Sequence, residues 1–105
     1  MSHYLLVIVT TSTKEEATKI VRCLLDERLI ACANIIDPIS SFFWWKDKID
    51  EATEFLVLMK SHSNLFNKLS KRVKEIHSYE VPEILALSII KGLPSYLNWL
   101  ETNFN

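Results

Sequence analysis

The stretch Ser-Phe-Phe-Trp-Trp-Lys-Asp-Lys-Ile, residues 41–49, decides the fold of this chain. It closes a segment that is typical of a β-strand, and successive side chains of a strand point to opposite faces. Phe42 and Trp44 therefore point one way, and Phe43 and Trp45 point the other. A small domain has one core to offer such a strand, so the second aromatic pair must be covered from outside the chain. Because large exposed apolar patches mark interfaces, the stretch predicts an obligate oligomer.

The aromatic stretch ends the first of two long strands that are joined by a turn. The first runs from about Ala33 to Trp45 and is interrupted at Pro38, which predicts a bulge or an edge position because proline donates no ladder hydrogen bond. After the polar residues 46–48, Ile49 and the run Glu54–Met59 continue the pattern as a second strand. At ~3.3 Å per residue the first strand reaches about 40 Å, longer than a domain of this size is wide. The hairpin should therefore project onto a neighbouring subunit.

The remaining segments alternate between strand and helix patterns. They comprise a strand over Tyr4–Val9, a helix from a capping box at Thr13 and Glu16 to about Arg28, a helix over Asn64–Ile76, a strand over Ile84–Ile90 and a short helix from Pro94 through Leu100. The order β-α-β-β-α-β predicts one α+β domain over residues 1–105 with the ferredoxin-like split-βαβ fold. Both helices then cover one sheet face, and the apolar strands predict that subunits pack their bare faces together.

Composition excludes several classes of function. The net charge is -1, and 12 basic and 13 acidic residues are interspersed, so we expect no nucleic-acid partner. No apolar run approaches the ~20 residues that span a bilayer, and the N-terminal residues lack a secretory pattern, so we expect a cytoplasmic protein without membrane contact. The two cysteines do not form a disulfide framework. A single glycine and the absence of nucleophile motifs predict that the protein is not an enzyme.

Several motifs, in order along nearly the whole chain, resemble the CutA divalent-cation tolerance proteins. They are Ala-Cys-Ala-Asn-Ile-Ile at 31–36, Ser41–Trp45, Lys48-Ile49, Glu54, Lys60, His-Ser-Tyr-Glu-Val-Pro-Glu at 77–83 and Tyr-Leu-Asn-Trp at 96–99. The resemblance implies a homotrimer of ferredoxin-like subunits, similar in build to the PII signalling proteins, with the long hairpins knitting the trimer. It also implies a link to tolerance of copper and other divalent metals.

The chain departs from the family pattern at several positions. Ser78 stands where the family usually has proline, and Asp47 stands where it has glycine. Asp47 can still adopt the left-handed turn conformation, at more strain than glycine. Some members carry a cysteine near the end of the first strand that is implicated in copper binding. The corresponding stretch here, residues 9–11, has no thiol.

His77 is the best single candidate for a metal ligand. It follows a helix C-terminus, whose negative dipole end favours a cation, and Glu80 and Glu83 follow within six residues. Imidazole with carboxylate suits zinc or copper, so we expect weak binding of a divalent metal and no organic cofactor. The alternative is that His77 caps helix carbonyls. Cys32 is a further candidate ligand, although a small apolar packing residue is the favoured interpretation.

A rival interpretation places a ligand cleft between subunits. Lys60, Tyr79 and Trp45 would line it and bind a small anion or nucleotide, by analogy with the PII-like build. The favoured role of the large aromatics is trimer packing, by Phe42, Phe43, Trp44, Trp45 and Trp99. Two functions therefore stay open. One is a non-catalytic, metal-responsive trimer, and the other is a signalling or scaffolding trimer with a small-molecule or protein partner.

Overall fold

The computed structural model describes residues 3–104. Its strands and helices are, in chain order, β1 (Tyr4–Thr11), α1 (Lys14–Asp26), β2 (Cys32–Trp45), β3 (Lys48–His62), α2 (Phe66–Ile76), β4 (Ile84–Ser88) and α3 (Pro94–Thr102), with one turn of 3-10 helix (Ser63–Leu65) before α2. No helix within residues 3–104 is both long and apolar enough to cross a membrane.

The four strands form one antiparallel sheet in the order β2-β3-β1-β4. β1 lies in the interior, between β3 and β4, so both of its edges are paired with other strands. An uncharged, apolar sequence suits such a position. This order, with one helix after β1 and one after β3, is the ferredoxin-like α+β fold. The predicted fold class is confirmed.

The core lies between the sheet and the two longer helices. Alternate residues of the inner strands meet the apolar stripes of α1 and α2, as the helical spacing predicts. The fully buried residues of these strands and helices include Val7, Val9, Ala17, Ile20, Leu24, Val57, Met59, Leu69 and Val73. Thr13 caps α1 as predicted, because its hydroxyl accepts a hydrogen bond from the Glu16 amide at 3.1 Å.

Some element boundaries differ from the sequence-based expectation. β1 runs on to Thr11 because Thr10 and Thr11 still pair with β3. β4 stops at Ser88 rather than Ile90, since β1 begins at Tyr4 and offers only one further bond, from the Ile89 amide to the Tyr4 carbonyl. α3 extends past Leu100 to Thr102.

Beyond a register shift between Ile36 and Ile39, β2 and β3 continue as a two-stranded ribbon, which we call the arm (residues 39–51). The predicted irregularity at Pro38 is confirmed. Lys46 and Asp47 turn the ribbon with positive φ angles of 50° and 63°, the left-handed pair that a two-residue hairpin turn requires. No residue of the arm is buried, and the molecule is 45 Å long in its largest dimension. The hairpin projects from the subunit, as its length predicts.

The sheet face opposite α1 and α2 is the open face. Paired residues of an antiparallel sheet share a face, and alternation assigns to this one Leu6, Ile8, Ile36, Leu56, Leu58, Leu85 and Leu87. Leu85 and Leu87 are each about half exposed. At one end of this face α3 approaches β2, where the Tyr96 hydroxyl lies 3.4 Å from Cys32 Sγ. An apolar face is thus left largely uncovered within the subunit.

Candidate functional site

His77 ends α2 and opens the loop 77–83, which leads to β4. Its backbone amide donates to the Val73 carbonyl at 2.9 Å, while its extended conformation (φ -82°, ψ 141°) turns the chain out of the helix. The side chain is fully buried and points toward the end of β1. The imidazole therefore joins two elements, while the backbone amide of His77 caps the helix carbonyl of Val73.

Both ring nitrogens of His77 have partners. Nε2 lies 2.8 Å from the Thr10 carbonyl oxygen, and the Tyr79 amide donates to Nδ1 at 3.0 Å. A carbonyl only accepts and an amide only donates, so this network assigns a neutral ring with its proton on Nε2. Nε2 carries the proton and the lone pair of Nδ1 accepts from the Tyr79 amide, so neither ring nitrogen is open to a metal ion while the loop keeps this conformation.

Glu16 holds the next residue of the loop. Its two carboxylate oxygens accept from the Ser78 amide at 2.6 Å and from the Ser78 hydroxyl at 3.0 Å. Proline at this position could donate neither bond. Ser78 thus contributes two hydrogen bonds between the loop and the first turn of α1. Glu16 Oε2 also lies 3.8 Å from Nδ1 of His77.

Tyr79 closes the cluster against the sheet. Its ring packs on the His77 imidazole with centroids 4.7 Å apart, and its hydroxyl donates to Glu54 Oε2 at 2.8 Å. Burial, followed by the hydrogen bond and the negative charge of Glu54, raises the pKa of Tyr79 to about 12. The phenol therefore stays protonated at neutral pH and acts as a fixed donor to a buried carboxylate.

The other predicted metal ligands lie apart from this network. Glu80 and Glu83 are exposed, and Cys32 is partly buried on β2 beside Tyr96. Among residues 3–104 no three His, Cys, Asp or Glu side chains are arranged to hold a metal ion. Ligation by His77, Glu80, Glu83 or Cys32 stays a prediction, and within one subunit the structure does not bring them together.

The three residues predicted to line a cleft have separate partners. Lys60 Nζ donates to Asn34 Oδ1 at 2.9 Å, while Tyr79 donates to Glu54. Trp45 lies at the tip of the arm, where Lys46 Nζ approaches its ring at 6.0 Å. The cleft also stays a prediction.

The residues predicted to form an interface are all exposed in the single subunit. Phe42, Trp44 and Trp45 expose 67%, 72% and 60% of their surface, and Phe43 and Trp99 are exposed as well. Tyr96 and Trp99 stack on one another on α3, with ring centroids 5.7 Å apart. Aromatic surface of this extent is costly to leave in water.

Sequence reasoning missed Glu16 and Glu54 as parts of the site. Glu16 fits a capping box, which explains why its carboxylate was assigned to its own helix. Glu54 carried a clearer signal, because it begins an otherwise apolar run of β3. A carboxylate at the start of such a run needs a donor, and Tyr79 supplies it.

Comparison with known proteins places the chain in a family. The family model described as CutA1 divalent ion tolerance protein matches residues 5–103. The divalent-cation tolerance protein CutA of Archaeoglobus fulgidus is 43% identical over 95 residues, which are 90% of this chain and 92% of that protein. The chloroplastic protein CutA 1 of rice is 36% identical over 99 residues, 94% of this chain and 56% of that protein.

A solved structure agrees with these sequence matches. The divalent cation tolerance protein CutA1 from Thermus thermophilus superposes with a TM-score of 0.95 at 40% identity, covering 97% of this chain and 99% of that one. The resemblance indicated by the motifs is confirmed. This chain belongs to the CutA1 divalent ion tolerance family.

Proposed function

We propose that this chain is a non-catalytic homotrimer that contributes to divalent-cation tolerance in the cytoplasm. The names of its relatives support the tolerance role. The observation that carries the assembly is the arm, whose aromatic side chains are exposed on both sides of the ribbon. A two-stranded ribbon without a packed face is marginally stable in water, so its persistence requires cover.

The subunit offers two apolar surfaces that a second copy would cover. The arm carries one, and the open face carries the other. Closed symmetric assembly satisfies both at once, because each subunit donates its arm and receives one. We favour other copies of this chain as the partners that cover both surfaces, since stable interfaces have an apolar and aromatic centre of this kind.

Metal binding at His77 would be weak. A metal ion at either ring nitrogen must displace the hydrogen bond with Thr10 or the one with Tyr79. That cost lowers the affinity of any site built on this residue. Copper or zinc would then bind at His77 only with a rearrangement of the loop 77–83 that frees a ring nitrogen.

Native mass spectrometry of the full chain, titrated with Cu²⁺ and Zn²⁺ beside a His77→Ala variant, tests both parts. We expect a trimer that takes up metal, and reduced uptake in the variant. A Glu83→Gln variant is the matched control for a carboxylate ligand that leaves the buried network intact. A monomeric protein would contradict the assembly, and uptake unchanged in both variants would contradict the predicted ligands.

A second candidate function is a signalling or scaffolding trimer with a small-molecule or protein partner. The paired nitrogens of His77, and the lack of a three-ligand group among residues 3–104, favour it. A trimer that binds neither metal in the titration would support this candidate.

The cytoplasmic location is tested separately, by imaging of the tagged full chain in cells. The measurement is informative because the rice relative is named a chloroplastic protein.

A further inference from the structure

Two of the three histidines of the chain lie side by side at one end of the sheet. His3 precedes β1 and His62 ends β3, and their ring centroids are 5.7 Å apart with an angle of 52° between the ring planes. The backbone fixes this proximity. Tyr4 pairs with His62 in the ladder, and the Ser63 amide donates to the His3 carbonyl at 2.7 Å.

These two imidazoles are the strong metal ligands least engaged elsewhere in the described residues. His77 uses both nitrogens. Cys23 contacts Glu27 and the Arg72 guanidinium, whose positive charge disfavours a cation, and partial burial with the nearby Glu27 raises the pKa of the thiol. Cys32 contacts the Tyr96 hydroxyl. For His3, by contrast, no side-chain hydrogen bond occurs within residues 3–104, and its ring is exposed.

We propose that His3 and His62 form a two-imidazole site for a divalent cation of the zinc or copper class. Two imidazoles bound to one such ion at about 2 Å place their ring centroids about 5 Å apart, close to the spacing already present. Water molecules complete the coordination. The site is separate from the predicted ligands around His77, so its failure leaves the trimer and the tolerance role untouched.

The surroundings position the His62 ring. Tyr4 meets it edge-on with centroids 5.7 Å apart, and Phe104 packs against it at 6.1 Å. Desolvation, followed by a hydrogen bond with the Glu101 carboxylate, raises the pKa of the Tyr4 phenol, which places that carboxylate beside the aromatic group.

Cation binding at His62 would break one local hydrogen bond, and the loss of that bond can be detected by NMR. Nδ1 of this ring accepts from the Asn64 amide at 3.1 Å and so caps the 3-10 turn before α2. A metal on Nε2 moves the ring proton to Nδ1, where it opposes the amide hydrogen. Binding therefore releases the Asn64 amide, and the site is weaker than one built on uncommitted histidines.

The test is a titration of the isotope-labelled full chain with Zn²⁺, followed by amide NMR and by calorimetry. His3→Gln and His62→Asn are the informative variants, because asparagine keeps an N-cap acceptor at 62 while removing the imidazole. Cys23→Ser is the control that alters a ligand type outside the pair. We expect the amide resonance of Asn64 to shift on zinc addition. We also expect the dissociation constant for zinc to be about tenfold or more larger in each histidine variant.

Three outcomes would overturn the proposal. One is the absence of zinc binding in the unaltered protein. Another is binding that survives His62→Asn but not His3→Gln, which would assign the ion to His3 and the backbone before it. The third is binding that is lost in the Cys23→Ser control and kept in both histidine variants.

Discussion

The strand β3 runs through both the body of the subunit and its arm, yet its two segments are stabilised in different ways. In the body, Val57 and Met59 of β3 are fully buried beneath α1 and α2. In the arm, Ile49 of the same strand exposes 69% of its surface. Both segments are paired with β2, so strand pairing does not distinguish them. The difference is the helix layer, which covers one segment and ends before the other.

The largest effect that separates the two regions is expected from Trp44→Asp. The substitution places a charge on the most exposed aromatic of the arm, where burial in an interface would leave it unpaired. We expect loss of the proposed trimer with the subunit fold retained, measured by sedimentation and circular dichroism. Lys71→Asp, on the exposed side of α2, is the charge control and should stay trimeric. A trimeric Trp44→Asp protein would show that this aromatic is not the anchor.

A core truncation should destabilise the body itself. Leu24→Ala removes a fully buried side chain from α1, and such changes cost about 2–5 kcal/mol of unfolding free energy. Urea denaturation at fixed protein concentration measures it. Leu25→Ala is the matched change one residue along the same helix, where the side chain is exposed, and should cost far less. Similar losses in the two variants would contradict the assignment of the core.

Tyr79→Phe probes the polar cluster at the junction of loop and sheet. It leaves the buried Glu54 carboxylate without its donor, which typically costs about 1–3 kcal/mol. The pH dependence has a definite sign. Because the folded pKa is about 12 against an ordinary 10.0, the protonated phenol stabilises the fold fully below pH 10.0, and this contribution is lost as pH rises toward 12.

Denaturation midpoints across the alkaline range test this sign. The unaltered protein should lose stability faster than Tyr79→Phe above pH 10.0. Parallel slopes for the two proteins would show that the phenol is not perturbed by the fold.

The smallest effect is expected at the tip of the arm. Asp47 holds a φ of 63°, which glycine adopts with less strain, so Asp47→Gly should stabilise the protein by about 0.5–1 kcal/mol. Thermal denaturation measures the gain. Asp47→Ala should show none, because alanine meets the same steric penalty. An equal rise in stability from Asp47→Ala would show that the positive φ angle of Asp47 is not the source of the strain.

Periodicity and turn chemistry predicted the fold almost completely. The order of elements along the chain, the helix faces and the projecting hairpin follow from alternation, helical spacing and strand length. The errors fall at element ends such as Thr11 and Ser88, where pairing with a distant strand, rather than local propensity, decides where a strand stops. No local pattern carries that information.

The candidate site was predictable only in part. His77 and Tyr79 were each singled out as candidate site residues, but their partners Thr10, Glu16 and Glu54 come from three other elements. A backbone carbonyl such as that of Thr10 has no sequence signal at all. Glu16 had a sufficient local explanation as a capping residue, so nothing in the sequence called for a contact 62 positions away.

The register of the sheet also separates strand pairs that are close in sequence from strand pairs that are distant. β2 and β3 are joined by a two-residue turn, so the hairpin closes with little loss of loop entropy, whereas β1 must find partners such as Lys60 and Leu87. Closing the aromatic ribbon therefore costs less loop entropy than pairing β1, although the ribbon has no packed face of its own. Charged residues cluster at its tip, at Lys46, Asp47, Lys48, Asp50 and Glu51, and charges at an exposed strand edge oppose edge-to-edge association of such ribbons.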